Sequence, residues 1–225
     1  MVSAVIVAGG KGTRMGAGYN KVFMELLGKP IISRTISAFE ACSEIDEIII
    51  VTAEDDIPEM SEIAKNFSKV REITTGGDLR QDSVYNGLKK AQGDIVLIHD
   101  GARCLVTEDV IISVINDTKT YGAAATGVIV KDTLKSIDEA GNIIATIDRE
   151  KTAQIQTPQG FVKDEIIAMH NRIKEDNITV TDDCSAFEKY GKVCHFTNGS
   201  YDNIKITTPE DIAIGEEILK RRAQK

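Results

Sequence analysis

Apolar and polar positions change along the chain in a way that predicts strands and helices in turn. Short runs of apolar, mostly β-branched residues are typical of buried strands, and longer segments with apolar residues at helical spacing are typical of helices. Because the two kinds of segment alternate, we expect a doubly wound, mostly parallel, Rossmann-like α/β sheet covered on both faces. The predicted strands span residues 2–7, 47–52, 70–74, 94–100 and 123–130, and the predicted helices span residues 31–39, 57–67, 81–91 and 107–120.

One segment departs from this rhythm. Residues 131–137 alternate polar and apolar side chains, residues 138–142 have the composition of a turn, and residues 143–147 alternate again. The pattern predicts a β-hairpin, which we expect to protrude as an arm over residues 131–152. Because a two-stranded ribbon with few large apolar residues is unstable alone, it must pack on something. It covers either the chain's own cleft or a second copy; we favour the second copy, which predicts a homodimer.

The last third of the chain is less regular. A cluster of polar residues and proline at 156–160 predicts a turn, and an acidic, hydroxyl-rich segment at 181–185 is typical of a capped helix start. The final helix opens with Thr208 as cap and Pro209 in the first turn. The remaining predicted elements are a helix over residues 162–174 and a strand over residues 202–207.

Composition narrows the class of protein. The 225 residues, 42% of them hydrophobic, suffice for one domain over residues 1–225, and the net charge of −8 argues against bulk binding to nucleic acid. No apolar run approaches the ~20 residues that cross a bilayer, and no signal-peptide pattern opens the sequence, so we expect a cytoplasmic protein without a membrane segment. The four cysteines have no CxxC spacing and the three histidines no zinc pattern, so idle thiols are expected.

A glycine-rich, cationic segment follows the first predicted strand. Residues 8–16 carry Gly9, Gly10, Gly12 and Gly16, with Lys11 and Arg14 between them and Lys21 just downstream. Neither the P-loop nor the dinucleotide fingerprint fits, because Gly12 follows Lys11 and the third glycine comes one position late. An ordinary turn with solvated charges is the simpler interpretation. The three cations favour a site for a triphosphate.

Other polar residues follow predicted strands, where ligands of such sheets bind. Asp100 ends a buried strand and suits a ribose hydroxyl or a metal-bound water, or else it caps the next turn. The Gly76-Gly77-Asp78 turn and Ser83 suit a base edge, or else they are caps. Lys205, flanked by apolar residues, should face solvent or an anion. His99 and His195 are interpreted as core or surface residues and not as catalysts. No serine or cysteine lies in the sequence pattern of a nucleophile elbow, so a covalent mechanism is unsupported.

Together these residues resemble one family, the 2-C-methyl-D-erythritol 4-phosphate cytidylyltransferases of the non-mevalonate isoprenoid pathway. The matching motifs span nearly the whole chain in the family's order, so the resemblance is specific. They are Ala8-Gly9-Gly10-x-Gly12-x-Arg14-Met15, Lys21, Gly76-Gly77-Asp78-x-Arg80-x-Asp82-Ser83-Val84, His99-Asp100-x-Ala102-Arg103, Asp132-Thr133-x-Lys135, Asp148-Arg149, Gln156-Thr157-Pro158-Gln159, Thr181-Asp182 and Asp202-Asn203-Ile204-Lys205.

The resemblance implies a nucleotidyltransferase domain that joins CTP to a polyol phosphate with Mg²⁺ and releases pyrophosphate, with Arg14 and Lys21 at the pentacoordinate phosphorus. It also implies that the hairpin reaches into the site of the partner subunit, where Thr133 and Arg149 would act. The implied catalytic residues are Arg14, Lys21, Arg149 and Lys205. The implied nucleotide-binding residues are Ala8, Gly9, Gly10, Lys11, Gly12, Thr13, Gly77, Asp78, Ser83, Asp100 and Gly101, of which Asp100 is also the metal candidate. The implied sugar-phosphate residues are Thr133, Arg149, Thr157, Thr181, Asp202 and Lys205.

The chain departs from the family in places, and two alternatives stay open. Asn20-Lys21-Val22 replaces the common Pro-Lys-Gln, and Cys104 stands where a proline is usual, which affects loop rigidity more than chemistry. Ribitol-5-phosphate cytidylyltransferase is the nearest alternative activity. A non-catalytic nucleotide sensor is the other alternative, but such a sensor would not need both Arg14 and Lys21.

Overall fold

The computed structural model describes residues 1–10 and 20–224, so the predictions for Lys11, Gly12, Thr13 and Arg14 lie outside the described residues. The strands are β1 (Val2–Val7), β2 (Glu25–Leu26), β3 (Lys29–Pro30), β4 (Glu47–Thr52), β5 (Val70–Thr75), β6 (Ile95–Asp100), β7 (Ala123–Ile129), β8 (Leu134–Ile137), β9 (Ile143–Ile147), β10 (Ala153–Val162) and β11 (His195–Asn198). The α-helices are α1 (Ile31–Ala41), α2 (Ile57–Ala64), α3 (Arg80–Leu88), α4 (Glu108–Tyr121), α5 (Lys163–Glu175), α6 (Asp183–Lys189) and α7 (Pro209–Ala223).

The main sheet has the strand order β11-β7-β10-β6-β1-β4-β5. Parallel pairing joins β1 to β4 and β6, β4 to β5, and β7 to β11, whereas β10 is antiparallel to both of its neighbours. The predicted doubly wound, mostly parallel fold is therefore confirmed, with β10 as the exception. The carboxyl ends of β1, β4 and β6 lie together at one edge of this sheet.

The alternation of side chains along the strands builds a core on each face. Ala4 and Ile6 of β1 belong to one apolar cluster with Phe39 of α1, and Val5 belongs to another with Phe161 and Phe187. Successive strand residues point to opposite faces, so a continuous apolar run such as β1 can fill both cores. Helices α1 and α4 cover the first face, and α3, α5 and α6 cover the second.

Two predicted elements are wrong. The predicted turn at residues 156–160 lies inside β10, because its polar side chains bond to the protein: Gln156 Nε2 donates to Ser200 O and Gln159 Nε2 to Asp182 Oδ2. The predicted strand at residues 202–207 is irregular, and Ile206 N donates to Ala102 O, just after β6, over 2.9 Å. The sequence prediction also missed the edge strand β11.

The predicted hairpin forms as a separate two-stranded sheet of β8 and β9, in antiparallel register. All five residues of β9 are exposed, and the side chains of Ile137, Ile143 and Ile144 are exposed by 65–67%. Apolar side chains of this size at a hairpin end are a liability in water unless another surface covers them. Within residues 1–10 and 20–224, no helix has the length and apolar character needed to cross a membrane.

Candidate active site

A cavity of about 490 Å³ opens at the carboxyl edge of β1 and β6 and at the start of α3. Ligands of open α/β sheets bind at this edge. The cavity brings together residues that are far apart in the chain and that the sequence assigned to nucleotide binding or catalysis. These are Ala8, Gly9, Gly10, Lys21, Gly77, Asp78, Ser83, Asp100 and Lys205.

Hydrogen bonds hold the glycine-rich edges of the cavity in place. The side chain of Asn20 donates to Ala8 O over 2.6 Å and to Asp56 Oδ2 over 2.7 Å, so it ties the residue that follows β1 to the residue that precedes α2. Gly77 N donates to Ser83 Oγ over 3.0 Å. A Cβ on Gly77 would overlap Asp82, so only glycine fits this close turn. Ser83 is therefore both a cap of the turn and a wall of the cavity.

Asp100 is the electrostatic centre of the cavity. The residue is 8% exposed, and its carboxylate lies 2.8 Å from Lys205 Nζ, 3.6 Å from Arg80 Nε and 3.5 Å from Arg103 Nε. Burial alone would raise the pKa of this carboxyl, but the charges of Lys205 and Arg80 lower it well below its usual range. Asp100 is thus a charged group among cations and not merely a turn cap, and Lys205 faces an anion as expected.

The structure adds cations that the sequence prediction did not assign to the site. Arg80 lines the cavity as the first residue of α3, and Arg103 donates from Nη1 to Asn203 O over 2.9 Å. Burial lowers the pKa of Arg103 despite the nearby Asp100. The sequence did carry a signal for both arginines. Arg80 closely follows a glycine turn and Arg103 closely follows a strand end, and residues at such places line the ligand site of this kind of sheet.

Thr157 and Gly101 lie behind this cavity. Thr157 is 4% exposed, and its Oγ accepts from Asp100 N over 3.0 Å. Gly101 N donates to Val7 O over 2.8 Å. Gly101 does not line the cavity, whereas the next residue, Ala102, does. These bonds hold the backbone at Asp100 and Gly101, and so they support the position of the Asp100 side chain.

The other predicted sugar-phosphate residues are distributed over separate surfaces. Asp202 pairs with Arg221 at 2.6 Å, and Thr181 lines a second cavity of about 380 Å³. Arg149 is exposed beside the hairpin, where its Nη1 donates to Lys131 O over 3.1 Å, and Thr133 is exposed nearby. Among the described residues, the structure does not gather these four at the cavity of Asp100.

His99 is a core residue, as interpreted from the sequence. Its ring is completely buried, with Nδ1 3.1 Å from Thr157 Oγ and Nε2 3.1 Å from Arg103 O. Burial lowers the pKa of His99 to about 4, so its ring is neutral near neutral pH. His195 lies away from the cavity, stacked on Tyr121 with ring centroids 3.8 Å apart.

The fold and the residues at this edge of the sheet are those of an α/β nucleotidyltransferase, in which glycine turns and fixed cations bind the nucleotide. A sequence model of the 2-C-methyl-D-erythritol 4-phosphate cytidylyltransferases matches residues 2–221, and the chain belongs to this family.

Relatives with this activity in their names match the sequence over nearly the whole chain. The proteins of that name from Clostridium botulinum (strain ATCC 19397 / Type A) and Clostridium perfringens (strain SM101 / Type A) are 49% and 46% identical; the matches cover 97% of this chain in both cases and 97% and 99% of the relatives. A crystal structure of 4-diphosphocytidyl-2C-methyl-D-erythritol synthase from Anaerococcus prevotii has a TM-score of 0.89 at 32% identity, covering 98% of this chain and 96% of that one. The Francisella tularensis cytidylyltransferase has a TM-score of 0.81 at 28% identity, with 96% and 98% covered.

Proposed function

We propose that the chain transfers CMP from CTP to 2-C-methyl-D-erythritol 4-phosphate, giving 4-diphosphocytidyl-2-C-methyl-D-erythritol and pyrophosphate. One observation carries this proposal: in a member of this family, Asp100 and three cations meet at the sheet edge beside two glycine turns. An oxygen of the polyol phosphate attacks the α-phosphorus of CTP in line. The bond to the bridging oxygen of the β-phosphate breaks, and the electron pair leaves with pyrophosphate.

The cations of the site serve two anions that repel each other. Lys21 and Lys205 both line the cavity, so each can reach charge that develops during the transfer. Arg14, outside the described residues, is proposed beside Lys21 at the α-phosphorus. The reaction needs positioning and charge stabilisation more than covalent help, and fixed cations supply both.

The part of the cavity at the start of α3 suits the nucleobase. Gly77, Asp78 and Ser83 line the cavity together with Ala8 and Gly9, and the glycines allow a flat ring to approach the backbone. Backbone and side-chain polar groups at the start of α3 then face the base edge. We propose that these groups select cytosine.

The Asp100 carboxylate suits Mg²⁺. Mg²⁺ is usually held by one or two carboxylates together with waters and substrate phosphates, and Asp100 supplies one ionised, buried carboxylate at the cavity wall. Among the described residues, no group of three acidic, histidine or cysteine side chains forms a complete metal cage. When bound, the ion would neutralise charge on the triphosphate and on the leaving pyrophosphate.

We further propose a homodimer in which the hairpin is an arm. The exposed Ile137, Ile143 and Ile144 give the ribbon an apolar surface of the kind that subunit contacts cover. In such a dimer Thr133 and Arg149 would serve the partner's site, and Arg149 suits a bidentate grip on a phosphate. The described cysteines are free thiols, which fits the cytoplasmic location that we also propose.

Pyrophosphate release by the purified protein tests the activity. The protein is incubated with Mg²⁺, each nucleoside triphosphate, and either methylerythritol phosphate or ribitol phosphate. We expect release with CTP and methylerythritol phosphate only. A preference for ribitol phosphate would establish the alternative enzyme, and CTP binding without release would indicate a sensor.

A further inference from the structure

A second acidic residue lies behind Arg80, outside the cavity lining. Asp183, the first residue of α6, is completely buried; its Oδ2 accepts from Arg80 Nη1 over 2.9 Å, and its Oδ1 lies 3.3 Å from His170 Nε2. His170 on α5 is 3% exposed. A buried carboxylate without a cavity to face needs a structural or positioning reason for its charge.

Arg80 is shared unequally between two carboxylates. Its Nη1 makes a short bond to Asp183, whereas its Nε stands 3.6 Å from Asp100. A guanidinium prefers to bind one carboxylate through two parallel bonds, so without Asp183 it would be free to turn both donors toward Asp100. The hydrogen bond to Asp183 therefore keeps Arg80 from binding Asp100 through two donors.

Arg80 and Asp183 both keep their charges. Burial would raise the pKa of Asp183, but the Arg80 guanidinium and the His170 side chain lower it overall. Burial likewise opposes the charge of Arg80, while Asp183 and Asp100 raise its pKa above the ordinary value. The pair is thus a fixed charge arrangement next to the cavity and not a neutral hydrogen bond.

We propose that Asp183 is a positioning residue for the nucleotidyl transfer: it holds Arg80 so that Asp100 keeps its orientation toward the nucleotide. The inference rests on the proposed role of Asp100 at the ribose and metal. Independent bonds hold the surrounding backbone, because Gln81 Nε2 donates to Ile178 O and Gln81 Oε1 accepts from Val180 N, both over 3.0 Å. The start of α3 therefore stays attached to the segment before α6 when Asp183 changes.

The test is a double-mutant cycle on CTP affinity, measured by calorimetry with Mg²⁺, and on the KM for CTP. We expect Asp183→Asn to raise both the Kd and the KM for CTP by on the order of tenfold. In an Arg80→Met background the same change should have no further effect, because Asp183 acts through Arg80. Arg80→Lys keeps the charge but cannot reach both carboxylates, so it should weaken CTP binding as Asp183→Asn does, and it tests the proposal even if Asp183→Asn folds poorly.

Asp117→Asn is the matched control, because it makes the same change at a carboxylate that accepts a bond from Thr197 Oγ over 2.6 Å and does not line the cavity. It should leave CTP affinity unchanged. Equal losses from Asp183→Asn in both backgrounds, or wild-type affinity in Asp183→Asn or Arg80→Lys, would overturn the inference while the proposed function stands. A wild-type protein that neither binds nor uses CTP would overturn both.

Discussion

Protonation of the buried His99 should make the stability of the fold depend on pH. Its two ring nitrogens have fixed partners: Nε2–H donates to Arg103 O, and Nδ1 accepts from the Thr157 hydroxyl, which in turn accepts from Asp100 N. A second ring proton on Nδ1 would displace the Thr157 hydroxyl proton that now bonds there, and it would place a charge on a completely buried ring. Folding therefore selects the neutral ring, in agreement with a pKa of about 4.

The sign and size of the effect follow from this lowered pKa. The ordinary pKa of 6.5 applies to the unfolded chain, so between about pH 6.5 and about pH 4 the unfolded chain binds a proton that the folded chain does not. The free energy of unfolding is therefore complete above pH 6.5 and falls as the pH falls toward 4. The difference between the two pKa values corresponds to about 3 kcal/mol for this completely buried ring.

Urea unfolding at several pH values measures this loss. Between about pH 7.5 and about pH 4.5 the wild type should lose about 2–3 kcal/mol more than the His99→Gln variant, whose side chain does not titrate. His195→Gln removes a histidine that stacks on Tyr121 away from β6, and it controls for the loss of a histidine elsewhere. Parallel pH profiles for the wild type and His99→Gln would refute the reasoning.

Three further outcomes are expected. Lys21→Ala should lower kcat in the pyrophosphate assay by on the order of 10²-fold, whereas the exposed Lys220→Ala should not; an unchanged kcat with only weaker CTP binding would refute the role. Gly87→Ala should destabilise the protein by about 1–3 kcal/mol in urea, because the added Cβ would overlap Val5 and Val51 where α3 packs on the sheet; an unchanged midpoint would contradict this packing. Mixed dimers of Arg149→Ala and Lys21→Ala subunits should regain activity that neither variant has alone, and no regain on mixing would count against the exchanged arm.

The strands buried on both faces could be predicted because their pattern is local. The continuous apolar runs of β1, β4 and β6 leave little choice but a central parallel strand. Strand β10 was predicted as a turn over residues 156–160 because its polar side chains bond to neighbours far along the chain, and nothing local shows those partners. The short edge strand β11 carries His195 and Asn198 in four residues, too few for a clear alternation.

The site residues that could be predicted are those that come directly after strands or lie in glycine turns. Asp100 and the Gly77 turn come directly after predicted strands, so their position at one edge follows from the topology. The bond between Arg80 and Asp183 joins residues 103 positions apart, and no spacing rule connects them. Such long-range ion pairs become visible only when helices α3 and α6 are packed against the sheet.

A crystal structure with CTP and Mg²⁺ tests the central claim most directly. We expect the cytosine against Gly77 and Ser83, the ribose beside Asp100, and the α-phosphorus within reach of the Lys21 ammonium group. Nucleotide bound instead in the second cavity near Thr181, or with its α-phosphorus far from Lys21, would contradict the account.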